Sequence, residues 1–128
     1  MDCPYEIHQQ VSHRYGVIDT IGLRCMINAK TPMIILDARA YSYDDGYRIP
    51  GARNLYHKTT AEEAATVIPG KDSLVIVYCT NIDCPASQWL AERLIQLGYT
   101  NIVKYPQGIE AWMDEGNPVD IVEKNGPH

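Results

Sequence analysis

Cys79 and Cys84 stand five residues apart in the stretch VYCTNIDCPAS, residues 77–87, where an apolar run ends. Thiols at this spacing suit a metal knuckle, a disulfide, a redox pair, or a nucleophile cradled by backbone amides. A tetrahedral zinc site needs two more ligands. The chain has no second closely spaced Cys or His pair, His8 and His13 being the nearest approach, so no metal is expected. The nucleophile reading sets an energetic requirement. A free thiol of pKa near 8.5 is only about 3% ionised at pH 7, and lowering it by ~2 units takes about 2.7 kcal/mol. A helix terminus alone supplies ~0.3–1 kcal/mol. Two or three charge-assisted amide hydrogen bonds, at ~1.5–3 kcal/mol each, close the gap. The amides of Thr80, Asn81, Ile82, Asp83, Cys84 and Ala86 are the candidates, because Pro85 suits a helix start and the loop before it can curl around an anion. Asp83 either opposes ionisation from beside the sulfur or turns outward to cap the helix. Taken alone, Cys79 reads equally well as a small buried hydrophobe ending a strand.

The elements that must position this loop are legible on either side. Residues 32–38, 73–79 and 100–105 are continuous apolar runs, as expected of strands covered on both faces of a parallel sheet. Between the last two, Ala86, Trp89, Leu90, Leu94 and Leu97 fall on one helical face, and Gly98 supplies a stop. The unit is βαβ, and Cys79 ends its first strand at the carboxyl edge, where open α/β sheets bind ligands. Thr60 and Glu63 form a capping box for a further helix that ends at Pro69-Gly70. TIGLRCMINA is predicted helical despite Gly22, with Cys25 on a core helix. GIEAWMDEG is predicted as a short last helix burying Ile109, Trp112 and Met113.

At 128 residues the chain fits one domain. Residues 17–119 form the expected domain, flanked by an N-terminal arm (1–16) and a C-terminal tail (120–128). The net charge of −5 is spread along the chain with no lysine or arginine cluster, which disfavours nucleic acid as a partner. The longest apolar runs, MIIL and LVIV, are too short to cross a membrane. The first residues lack the basic start and apolar stretch of a secretory signal, so a cytoplasmic location with mostly reduced thiols is expected.

Several stretches together resemble the rhodanese-like domain. IILDAR (34–39) is similar to that family's strand ending in Asp-x-Arg, and GYRIPGARN (46–54) to its Gly-His-Ile-Pro-Gly-Ala-x-Asn turn. VIVYC leads to the position of the family's catalytic cysteine, here Cys79. LAERLIQLGYTNIVKYPQGIEAW resembles the helix, strand and Gly-Gly-x-x-x-Trp segment that follow, and GNPV (116–119) the closing Gly-x-Pro-Val. The resemblance implies a single α/β domain, a central parallel sheet with helices on both faces. It also implies two-step sulfur transfer without metal or organic cofactor. Cys79 would take sulfane sulfur from thiosulfate, a polysulfide or a persulfide, and a thiol acceptor would remove it. Donor and acceptor are expected to be small molecules or protein-bound groups.

Asp37 and Arg39 are expected to pair and brace neighbouring loops rather than to act in catalysis. Arg48 stands where the family usually has histidine; it either lends positive potential to the pocket or lies in solvent. Tyr41, Tyr43, Tyr47 and Tyr56 are read as packing and rim residues. The loop departs from the family's Cys-x-x-Gly-x-Arg: it is about two residues longer and has neither the glycine nor the arginine. Thiosulfate is therefore expected to be a poorer donor than a persulfide or polysulfide. Phosphatase or arsenate reductase chemistry, which on this fold uses Cys-x5-Arg, is disfavoured because Pro85 occupies the arginine position. A second function class is a redox-regulated or non-catalytic binding module. In it Cys84 is a resolving thiol for Cys79; otherwise Cys84 packs inward and is inert. Cys3 and Cys25 are assigned no role.

Overall fold

The structure, a computed structural model, describes residues 15–123. In chain order these form β1 (Tyr15–Val17), α1 (Thr20–Asn28), β2 (Ile34–Asp37), a 3-10 turn (Tyr41–Tyr43), β3 (Tyr47–Arg48) and β4 (Arg53–Asn54). Then follow α2 (Ala61–Val67), β5 (Val75–Tyr78), α3 (Ala86–Gln96), β6 (Ile102–Tyr105), α4 (Gly108–Asp114) and β7 (Asp120–Ile121). The expected helices all form, and Thr60 and Glu63 make the capping box with both hydrogen bonds present.

Five strands build a parallel sheet in the order β1-β6-β5-β2-β4. Every residue of β5 is buried, as its β-branched and aromatic composition suits a strand covered on both faces. Alternation along the strand divides the core in two. Val75 and Val77 pack with Leu36, Ala64, Leu90 and Leu94, under α2 and α3. Ile76 and Tyr78 pack with Leu23, Tyr105, Ile109 and Trp112, under α1 and α4. This is the expected architecture of a parallel sheet with helices on both faces.

Some details differ from expectation. Cys25 is exposed, so its helix turns another side inward, led by Leu23. Trp89 and Met113, assigned to buried faces, are 49% and 40% exposed. The folded region also overruns the expected boundaries at both ends. β1 begins at Tyr15 and pairs with β6, and β7 pairs antiparallel with β3 inside the segment assigned to the tail. Cys3, His8, His13 and most of the N-terminal arm lie outside the described residues. Among the described residues, no helix is long and apolar enough to cross a membrane.

Candidate active site

Cys79 follows the last residue of β5 and is 2% exposed. The start of α4 grips the strand end here: the Ile109 amide donates to the Cys79 carbonyl and the Glu110 amide to the Thr80 carbonyl, each at 3.0 Å. Such an approach requires a glycine at position 108. Gly108 has φ of +77°, and a Cβ on it would stand 2.5 Å from the Thr80 oxygen and 2.6 Å from the Cys79 oxygen. The helix-strand contact thereby fixes the peptide that carries the sulfur.

Cys79 and Cys84 are joined in a disulfide, their Cα atoms 6.3 Å apart. The chain's thiols are expected to be mostly reduced, with a Cys79–Cys84 bond belonging to the redox-module alternative, and the fold of the loop accounts for the meeting of these two. Asn81 folds the turn back over the strand end. Its carbonyl accepts the Cys84 amide (3.1 Å), and its side-chain oxygen accepts the Asp83 amide (3.0 Å). Its side-chain nitrogen donates to Glu110 of α4 at 3.1 Å. The expected cradle of six amides thus loses two, those of Asp83 and Cys84, to the turn itself. The Ile82 side chain stands in solvent, 71% exposed. Thr80 brings its hydroxyl to 3.9 Å from the Cys79 sulfur.

A cavity of about 460 Å³ opens over the pair. Its walls come from the loop, from Ala40 and Tyr43 after β2, from Tyr56 and His57 after β4, and from Ala86 and Trp89 on the first turns of α3. Aromatic and aliphatic groups dominate these walls. Trp89 lines the cavity rather than the sheet, which explains its exposure. The ring of His57 lies 4.9 Å from that of Trp89 and 4.4 Å from that of Tyr56. Its Nδ1 is buried without a hydrogen-bond partner. Burial, with Lys58 adding like charge, lowers the His57 pKa below the ordinary histidine range. Sequence reasoning passed over His57 and counted Trp89 as core. The available signal was the position of Trp89, one turn into the helix that starts at the cysteine loop.

Arg39 also lines the cavity, but its nitrogens are committed to the protein. Nε and Nη2 donate to the Asp37 carboxylate, Nη2 also to the Tyr47 carbonyl (2.7 Å), and Nη1 to Asp45 (3.1 Å). Burial works against the charge, yet the Asp37 hydrogen bonds and carboxylate raise the Arg39 pKa overall. Asp37 and Arg39 thus form a buried ion pair at the end of β2. Arg48 takes neither role expected of it. It is buried and paired with Asp44, Nη2 to Oδ2 at 2.8 Å, because β3 turns it inward behind Arg39. Burial would raise the Asp44 carboxyl, but the Arg48 hydrogen bonds and charge outweigh it and hold the group below the usual range. Among the described residues no three His, Cys, Asp or Glu side chains stand where they would hold a metal.

The profile of the Rhodanese-like domain matches residues 23–115. No curated protein matches the sequence. Among solved structures, the fold is similar to the BH2092 protein from Bacillus halodurans, with a TM-score of 0.74 at 22% identity, covering 90% of this chain and 81% of that one. It is also similar to a thiosulfate sulfurtransferase from Pseudomonas aeruginosa, with a TM-score of 0.72 at 18% identity over 94% of this chain. This chain spans 22% of the length of that protein. A rhodanese-related protein from Thermoplasma volcanium is 28% identical, with a TM-score of 0.64, covering 82% of this chain and 97% of that one. With the match running from α1 through α4 and the strand-end cysteine inside it, the chain belongs to the rhodanese-like domain family.

Proposed function

We propose that the protein is a sulfurtransferase that carries sulfane sulfur as a persulfide on Cys79. The observation that carries this reading is the seat of Cys79, a cysteine at the carboxyl edge of the sheet that floors a 460 Å³ cavity and is fixed by α4. In the reduced form, the Cys79 thiolate attacks the outer sulfur of a donor. The donor's S–S bond breaks, its remaining part leaves with the electron pair, and Cys79 holds the persulfide. A thiophilic acceptor, a thiol on a small molecule or a protein, then takes that sulfur. Splitting one transfer into two displacements is covalent nucleophilic catalysis. The Thr80 hydroxyl and the uncommitted loop amides are the groups that stabilise the thiolate and the persulfide anion. The disulfide form holds no nucleophile, so turnover needs a reducing setting, for which the cytoplasm is suited. The same disulfide favours a second reading, a redox-gated module in which oxidation blocks the cavity floor.

The cavity argues for the kind of donor. Its one guanidinium is already satisfied by Asp37, Asp45 and Tyr47, so a small dianion finds no free bidentate partner. An aromatic donor finds Tyr43, Tyr56 and Trp89. Benzenethiosulfonate should therefore load Cys79 about tenfold faster than thiosulfate, the difference of one charged contact. Loading is best read by intact mass and peptide mapping on the Cys84→Ser variant, where Cys79 cannot be locked in a disulfide. The expected result is an adduct of about 32 Da on Cys79 that the Cys79→Ser variant does not form. A Cys79 that stays unmodified with both donors overturns the assignment.

A further inference from the structure

Cys84 is bonded to the sulfur that the reading above makes the sulfur carrier. The turn between them is held from both ends: Asn81 takes the amides of Asp83 and Cys84, and ties the turn to Glu110. A thiol kept within bonding distance of a second sulfur reacts as an intramolecular partner, at effective concentrations that free thiols do not reach. The two sulfurs also differ in access. Cys79 is buried and Cys84 is partly exposed at the cavity wall, so a reductant coming from solvent meets Cys84 first.

We propose that Cys84 discharges the Cys79 persulfide, releasing the outer sulfur as sulfide and closing the Cys79–Cys84 disulfide. The proposal rests on the sulfur-transfer reading. Cys84 gives up its proton and attacks the Cys79 sulfur. The bond from that sulfur to the outer one breaks, and the outer sulfur leaves with the electron pair and the proton, as hydrosulfide. Counted as neutral sulfur on a thiolate, the sulfane atom gains two electrons, and each cysteine sulfur supplies one. A dithiol reductant completes the cycle by thiol–disulfide exchange. It attacks the more accessible Cys84 sulfur and frees Cys79 as thiolate, ready for the next donor. The net reaction is reduction of sulfane sulfur to sulfide at the expense of a dithiol.

The test is a single turnover. Protein is reduced with a phosphine, desalted without oxygen, and given one equivalent of benzenethiosulfonate, which contains neither free thiol nor sulfide. Sulfide, intact mass and cysteine pairing are then measured. Wild type should release close to one sulfide per chain, lose about 2 Da and carry the Cys79–Cys84 bond; a pulse of dithiothreitol followed by desalting should restore a second turnover. The Cys84→Ser variant should hold the adduct of about 32 Da on Cys79 and release at least about tenfold less sulfide. A wild-type protein that keeps the adduct on Cys79, with Cys84 still a thiol, overturns the proposal and leaves the sulfur-transfer reading standing. A Cys84→Ser variant that takes up no sulfur on Cys79 overturns that reading as well. An adduct on Cys84 in the Cys79→Ser variant, formed at the wild-type rate, overturns the assigned order of the two thiols.

Discussion

Arg39 separates bracing from substrate binding at the level of a single side chain. It lines the cavity, yet its guanidinium is held by Asp37, Asp45 and the Tyr47 carbonyl, contacts that one ammonium cannot reproduce. Arg39→Lys should therefore destabilise the fold by about 2–4 kcal/mol in urea unfolding, the scale of a broken buried pair. The ratio of benzenethiosulfonate to thiosulfate loading on the folded protein should stay within about twofold, an energy well under 1 kcal/mol. A selective loss of thiosulfate loading with stability intact would show that Arg39 binds donor instead. The Asp-x-Arg spacing at a strand end made the Asp37–Arg39 pair legible beforehand. The partnership of Arg48 with Asp44 was not, because it depends on how residues 40–48 fold back behind the sheet.

At the level of elements, the contact of α4 with the end of β5 determines where the sulfur sits. Gly108→Ala places a Cβ against two backbone oxygens that cannot swing aside, in a left-handed conformation that itself costs about 1–2 kcal/mol. A total loss of about 2–4 kcal/mol is expected, since steric strain adds to the conformational term. Gly116→Ala is the control: it has φ of +79° and nothing within 4 Å, so it should show the conformational term alone. In the folded fraction, Gly108→Ala should also slow Cys79 loading by about a hundredfold, as expected of an ångström-scale displacement of a reacting group. Gly116→Ala should leave loading unchanged. If both variants behave alike, the helix-strand contact does not position the sulfur. The βαβ unit itself was readable from apolar runs and a helical stripe. Trp89 was misassigned because periodicity finds the face of a helix but not the point along it where the sheet ends and the cavity begins.

Across the whole molecule, the very short strands escaped sequence reading. β1, β4 and β7 have two or three residues each, too few for any period; β1 and β4 form along the edges of the longer β6 and β2, and β7 forms by pairing with the equally short β3. Two buried or half-buried groups then link stability to pH. His57 has its folded pKa lowered by burial, with Lys58 contributing, from an ordinary value of 6.5. The unfolded chain therefore binds this proton more readily, and stability falls as pH drops below about 6.5 toward the folded value. Asp44, held low by Arg48 against the effect of burial, contributes stability that is present above the ordinary carboxylate pKa and lost as pH falls through its lower folded value. Urea midpoints measured from pH 8 to pH 3 should thus decline in two stages. His57→Gln should flatten the first stage, and the difference from wild type isolates this histidine from the others in the chain. Asp44→Asn should lower stability at neutral pH, where it leaves Arg48 only the more distant Asp37 carboxylate at 3.7 Å, and flatten the second stage. A first stage that persists in His57→Gln would mean that the imidazole beside Trp89 accepts a proton in the folded cavity as readily as in the unfolded chain.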